Sequence, residues 1–261
     1  MKEFSEFSGV QQSTLRYYDK IGILIPALRR NSKYRYYTPF QLIKLNYINV
    51  LTSIGVNLST IKEMNDHRTP EKVNKLLIFQ EAQLHRRLQE LNINASIIHT
   101  FRKNISNGIA AVDGTIEVKE FTDNHYILGE ANDFTDCGSF YDLYIRFCRS
   151  ADKNRINLKY PIGGYFNNIN SFLKAPDWPE RFYSQDPLGN NIIPAGKYLV
   201  GYVKAYYNNF KDLPQRMMAY AKEHGLNLYG PVYIVYLLDE ISVIEPDQYL
   251  SGAMVSITDM K

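Results

Sequence analysis

The sequence predicts an α+β protein in three parts: a winged helix-turn-helix over residues 1–70, one long helix over 71–107, and an α+β domain over 108–261. Three observations point there. Residues 10–37 lead from two short amphipathic helices into a segment where Arg29, Arg30, Lys33 and Arg35 interleave with Tyr34, Tyr36 and Tyr37. Residues 71–103 hold neither Gly nor Pro and carry apolar residues near heptad spacing. From 108 onward, short β-branched and aromatic runs alternate with turns and two helical stretches, a pattern that gives helices packed on a sheet.

The first helix is short, with Phe4 and Phe7 before the closing Ser8-Gly9-Val10 turn. A second opens at Ser13-Thr14-Leu15, where Leu15 and Tyr18 are spaced to face the first and leave Arg16 and Tyr17 outside. An outward Arg beside a Tyr near the front of a second helix suits a major groove: a forked donor for guanine or phosphate, and a hydroxyl for phosphate. The basic, tyrosine-rich stretch that follows, loosened by Asn31-Ser32, suits a wing along a phosphate backbone. Taken alone, Arg16 and Tyr17 also fit a merely solvated helix face. The wing and the helical segments at Thr38–Leu42 and Leu45–Met64 decide for DNA.

These residues resemble the MerR family of transcriptional regulators. The match runs through Leu15-Arg16-Tyr17-Tyr18-Asp19, Ile21-Gly22-Ile23-Leu24, the Tyr34-Arg35-Tyr36-Tyr37 wing, Thr38-Pro39-Phe40-Gln41-Leu42, and Leu58-Ser59-Thr60-Ile61-Lys62-Glu63-Met64. The resemblance implies DNA contacts from Ser13, Thr14, Arg16 and Tyr17 of the recognition helix and from Lys33, Arg35 and Tyr36 of the wing. The short strand that usually precedes the first helix is almost absent, and Gln11-Gln12 stands where a capping Ser or Asn is usual. The helix start is therefore weak unless Ser13 caps it.

Charge divides unevenly along the chain. Residues 1–107 hold 16 Lys plus Arg against 8 Asp plus Glu, and residues 108–261 hold 14 against 19, so the front meets nucleic acid and the back does not. No window of eighteen apolar residues occurs and no charged-then-apolar leader opens the sequence, so a cytoplasmic protein with no membrane partner is expected. Cys137 and Cys148 lie eleven apart, which is neither a disulfide framework nor a usual metal-ligand spacing.

Thr69-Pro70-Glu71 marks a boundary, because Thr before Pro leaves the helical region and Pro is tolerated at a helix start. In the long helix Val73, Leu77, Leu84, Leu88, Leu91, Ala95 and Ile98 form an apolar seam. Either a second copy or the C-terminal domain must cover it. In MerR-like proteins this helix pairs antiparallel with its twin, so the resemblance implies a homodimer on palindromic promoter DNA, working with RNA polymerase. The Asn104–Gly108 run is expected to end the helix with Gly at its C-cap.

Beyond it, strands are expected at Thr115–Phe121, Tyr126–Asn132, Tyr160–Asn167, Ala195–Tyr206, Val232–Leu238 and Tyr249–Ile257, helices at Ser139–Ala151 and Leu213–Glu223, and a loop or short strand at Trp178–Tyr183. This order has a pseudo-repeat. It resembles the gyrase-inhibitor-like effector domain of multidrug-responsive MerR regulators, through Ile193-Pro194-Ala195-Gly196-Lys197-Tyr198, Gly230-Pro231-Val232-Tyr233, Tyr236-Leu237 and Tyr249-Leu250. Fifteen of the 21 tyrosines lie here, offering aromatic walls to a small lipophilic ligand, although strands favour tyrosine in any case. The expected lining residues are Tyr160, Phe166, Phe210, Ile234, Tyr236 and Tyr249. The two acids that related domains use fall at Ile234 and Gly252. A neutral, zwitterionic or weakly charged apolar ligand is therefore expected unless Asp247, Glu245 or Glu240 takes over. No Ser/His/Asp order, phosphate loop or metal cluster is evident, so no catalytic residue, metal or cofactor is expected. Two rivals stay open: a gyrase-inhibitor-like small-molecule hydrolase with a DNA-binding appendage, and a constitutive repressor whose pocket its own side chains fill.

Overall fold

The computed structural model describes residues 1–30, 34–134, 139–153, 156–207 and 209–259. It has the mixed helix and sheet architecture expected, in two compact units, Met1–Leu91 and Asn92–Lys261. Among the described residues no helix is long and apolar enough to cross a membrane.

The first unit runs α1 (Lys2–Ser8), α2 (Gln12–Lys20), β1 (Leu28–Arg30), β2 (Tyr34–Tyr36), α3 (Phe40–Ser53), α4 (Leu58–Asp66) and the start of α5 (Pro70–Ala110). Gly9 stops α1 in the left-handed region at φ 68°, where a side chain would be strained. Gln11 is the N-cap of α2 and makes no side-chain cap bond. Ser13 Oγ instead donates back to Gln11 Oε1 at 3.4 Å, so Ser13 is not the cap, and tertiary packing holds this helix. Leu15 and Tyr18 join Phe4, Leu45, Ile48 and Ile61 in one buried cluster. α4 is capped conventionally, Asn57 Oδ1 accepting from Thr60 N at 2.8 Å.

The second unit continues with β3 (Ile116–Phe121), β4 (Asn124–Ala131), α6 (Phe140–Ser150), β5 (Ile162–Phe166), α7 (Ile169–Lys174), β6 (Arg181–Ser184), β7 (Asn191–Ile193), β8 (Gly196–Lys204), α8 (Leu213–Glu223), β9 (Leu226–Leu238) and β10 (Leu250–Asp259). The strands form one antiparallel sheet in the order β3-β8-β10-β9-β5-β6-β4-β7. Alternation divides its residues cleanly. Leu199, Val203, Val232, Ile234, Ala253 and Val255 pack with Phe172, Leu213 and Met217 of α7 and α8. The opposite face presents Tyr198, Val200, Tyr202, Tyr233, Leu237 and Met254.

Three sequence expectations are corrected. β9 begins at Leu226 and runs through Gly230-Pro231; the register jumps there from Val255↔Val232 to Ser256↔Tyr229. That bulge absorbs the two residues, so proline's missing N–H costs no ladder bond. The short α7 and β7 had no counterpart in the sequence reading. The cap that starts α7, Asn168 Oδ1 accepting from Ser171 N at 3.0 Å, was its available signal. Finally, α5 does not stop in the Asn104–Gly108 run but continues to Ala110 with Gly108 buried inside it. A Cβ on Gly108 would stand 2.7 Å from Leu238 Cγ and 3.1 Å from Leu237 Cβ. This glycine serves a close helix-on-strand approach, not a helix end.

Candidate nucleic-acid interface and ligand site

In α2, burial of Leu15 and Tyr18 turns Arg16 and Tyr17 outward. Ser13 is exposed and Thr14 half-buried on the same helix. Asp19, whose side chain is 2% exposed, receives Arg29 Nη2 and, at 2.6 Å, Arg35 Nε. Those two arginines are cross-strand partners in the β1–β2 hairpin. One buried carboxylate thus pins the wing to the recognition helix. Tyr37 adds a second attachment, stacking on Phe4 at 4.6 Å between centroids.

Arg35 was expected at the phosphate backbone. Its Nε is bonded to Asp19 and 27% of its side chain is exposed, so it ties the wing to α2. Tyr36 is exposed, as is Tyr34 beside it. Lys33 lies outside the described residues. Asp19 was the residue sequence reasoning passed over. Its signal was a lone acid between basic positions, at a point in α2 that faces inward.

Arg16→Ala should weaken binding to an operator duplex by about 1–3 kcal/mol and reduce the slope of log K against log salt by about one. Fluorescence anisotropy over a salt series reads both. An unchanged slope removes Arg16 from the contact surface.

The six expected ligand residues separate into two groups. Phe166, Phe210 and Ile234 are sealed in the core under α7 and α8, with Phe172 at 4.9 Å from Phe166 and 5.4 Å from Phe210 between ring centroids. Tyr160 is buried too, its hydroxyl bonded to Ser96 of α5. Tyr236 and Tyr249 come together, with Tyr207 ring centroids 4.8 Å from the first and 5.2 Å from the second. Tyr206 stacks on Tyr249 at 5.9 Å and shares a hydroxyl contact with Tyr141 of α6. Both Tyr141 and Tyr206 are nearly half exposed, while Tyr249 is buried, so the outer rings of this aromatic cluster face solvent.

Glu240 borders it, accepting from Tyr207 Oη. Burial, reinforced by Glu240, pushes the Tyr207 hydroxyl well above its ordinary pKa. Burial likewise raises Tyr236, and takes Tyr144 up to about 12. The hydroxyls therefore stay neutral donors across the physiological range. A carboxylate beside several tyrosine faces is suited to a lipophilic cation. Of the three substitute acids considered from sequence, the geometry puts Glu240 there. Tyr207 was the member that sequence reasoning missed, because nothing in the Tyr206-Tyr207 pair marks which ring turns inward.

On the opposite face of the sheet, a partly open cavity of about 310 Å³ lies beneath the last turns of α5. None of the six expected residues lines it. Buried Asn104 and Gln185 meet there, Asn104 Nδ2 donating to Gln185 Oε1 at 3.2 Å.

Comparison with known proteins bears on this architecture. Residues 1–67 match the family described as MerR HTH family regulatory protein. Over 252 residues the chain is 22% identical to the multidrug-efflux transporter 2 regulator of Bacillus subtilis (strain 168), covering 92% of this chain and 89% of that one. The multidrug-efflux transporter 1 regulator of the same organism is 35% identical over 102 residues, 39% of this chain and 36% of its own. The HTH-type transcriptional activator mta, also from that organism, is 40% identical over 67 residues, 26% of each chain.

Proposed function

From an N-terminal domain that belongs to the MerR family of helix-turn-helix regulators, we propose that the chain is a ligand-responsive transcription regulator. It binds a palindromic promoter as a homodimer and distorts that DNA, in concert with RNA polymerase, when a small aromatic ligand occupies the C-terminal unit. The observation that carries this reading is the Asp19 clamp, which fixes a basic, tyrosine-bearing wing beside the outward Arg16 and Tyr17. Such a surface serves phosphate and base-edge recognition, and no hydrolytic chemistry needs it. The three relatives named above are regulators by description, which favours this reading over a hydrolase.

The ligand sits in the crevice of Tyr207, Tyr236 and Tyr249, with Glu240 balancing a positive charge. Regulation requires that it bind the DNA-distorting state more tightly than the relaxed one, since equal affinity shifts nothing. The test is a mobility-shift titration of the full-length protein on its own upstream promoter fragment at low ionic strength, followed by thermal-shift titration with tetraphenylphosphonium. Retarded DNA and a raised melting temperature are expected. Glu240→Gln should weaken the tetraphenylphosphonium response about tenfold, the loss of one carboxylate's attraction at a partly wet site. Absence of retardation rejects the regulator. Retardation without any stabilisation by the cation, in wild type and variant alike, leaves a constitutive repressor in its place.

A further inference from the structure

The cavity under α5 is built differently from the aromatic crevice. Its 310 Å³ is at the lower end of the roughly 300–1,000 Å³ usual for small-molecule sites. Its sheet side is apolar, with Val200, Val235, Leu237 and Met254 alternating with residues of the opposite core. Its helix side brings in Asn104, which, like Gln185, is only 6% exposed. The Asn104 bond occupies Gln185 Oε1, and Gln185 Nε2 is buried with no hydrogen-bond partner among the described residues. An unmet buried donor costs about 1–3 kcal/mol. Folded proteins carry such groups rarely, and a bound water, ion or ligand that accepts from them is one explanation.

Among the residues that line the cavity Lys103 and Lys119 are cationic, and no Asp or Glu lines it among the described residues. Lys119 Nζ is held at 2.8 Å by both the Tyr202 hydroxyl and Glu117. Burial works against its ammonium form, but these two partners outweigh that and raise its pKa, so it stays charged.

We propose that this cavity is a second effector site, on the sheet face away from the aromatic crevice, for a small apolar molecule ending in a carboxylate. One carboxylate oxygen accepts from Gln185 Nε2, Lys103 balances the charge with Lys119 shared between the ligand and Glu117, and the tail lies over Val200, Val235 and Leu237. A cation of the kind suited to Glu240 is rejected here by the lysines. Occupancy draws on Asn104, and so on α5, the helix that also carries the seam starting at Val73. The site stands whether or not the crevice binds a cation.

The test uses the full-length protein and decanoate below its micellar concentration, with decanol and decyltrimethylammonium as the uncharged and charge-inverted probes of equal chain length. Calorimetry should show decanoate binding at least tenfold tighter than either. Gln185→Leu should weaken decanoate tenfold or more, the range expected for a hydrogen bond to a charged group, with the unliganded melting temperature unchanged or raised because an unpaired amide is gone. Gly252→Val supplies an independent variant. Its added Cβ would stand at ordinary contact distance, 3.4 Å from Leu237 and 3.5 Å from Tyr202, and its methyls would enter the cavity. It too should weaken decanoate binding at least tenfold while the tetraphenylphosphonium response persists. Decanoate that fails to bind, or that binds both variants as it binds wild type, overturns the site. Decanol binding as tightly as decanoate overturns the carboxylate. Should one variant lose its fold by circular dichroism, the other decides alone.

Discussion

The double variant Leu84→Lys/Leu88→Lys is expected to sediment as a monomer and to lose promoter binding. Both leucines lie one helical turn apart on α5, 41% and 55% exposed, in line with Leu91 at 62%. Roughly half of each side chain thus remains to be buried, about 1 kcal/mol apiece. With two per chain and two chains, the dimer loses about 4 kcal/mol, and four ammonium groups placed in an apolar seam add to it. At 1.4 kcal/mol per tenfold, the dissociation constant should rise by at least about three powers of ten. Lysine is nearly as good a helix former as leucine, so helicity by circular dichroism should hold. Operator binding falls with the dimer because one half-site supplies only half the phosphate contacts. A double variant that remains dimeric would place the subunit contact elsewhere and return the seam to intramolecular packing.

Asp19→Ala should release the wing. Two charge-assisted hydrogen bonds disappear from a buried carboxylate. Removing one member of a buried ion pair costs about 3–5 kcal/mol when its partner stays buried. Here Arg29 is about half exposed and Arg35 about a quarter, so both rehydrate and a loss near 3 kcal/mol is expected in the unfolding free energy of the N-terminal unit. Two effects on DNA then compete. The variant loses one negative charge and frees two arginines from it, which steepens the salt dependence, but its wing no longer holds a fixed register with α2. Loss of geometry should win for a specific operator, while non-specific duplex binding tightens slightly. Both are read by anisotropy on matched operator and scrambled DNA. If operator binding tightens as well, the clamp is not what positions the wing.

What the sequence made legible follows from where the physics is local. Leu15 and Tyr18 inside with Arg16 and Tyr17 outside is a matter of helical period, and the structure keeps it. The helix start at Pro70 is local stereochemistry, and α5 begins there. The ligand-site reading fared differently. Strand alternation correctly put Ile234 and Tyr236 on one face, yet alternation says nothing about what covers that face. Residues under α7 and α8 became core, while Tyr236 and Tyr249 gathered with Tyr206 and Tyr207 into a separate aromatic cluster. Asn104 and Gln185 are 81 positions apart, and no pattern in either segment announces their meeting. The Arg35–Asp19 bond likewise spans 16 positions, and nothing local in either segment marks it.

The close approach at Gly108 makes residue 108 intolerant of any side chain. With Leu238 standing where a Cβ would go, even alanine would have to push that leucine aside or lift α5 from β9, so the seating of the helix end on the strand depends on one missing methyl group.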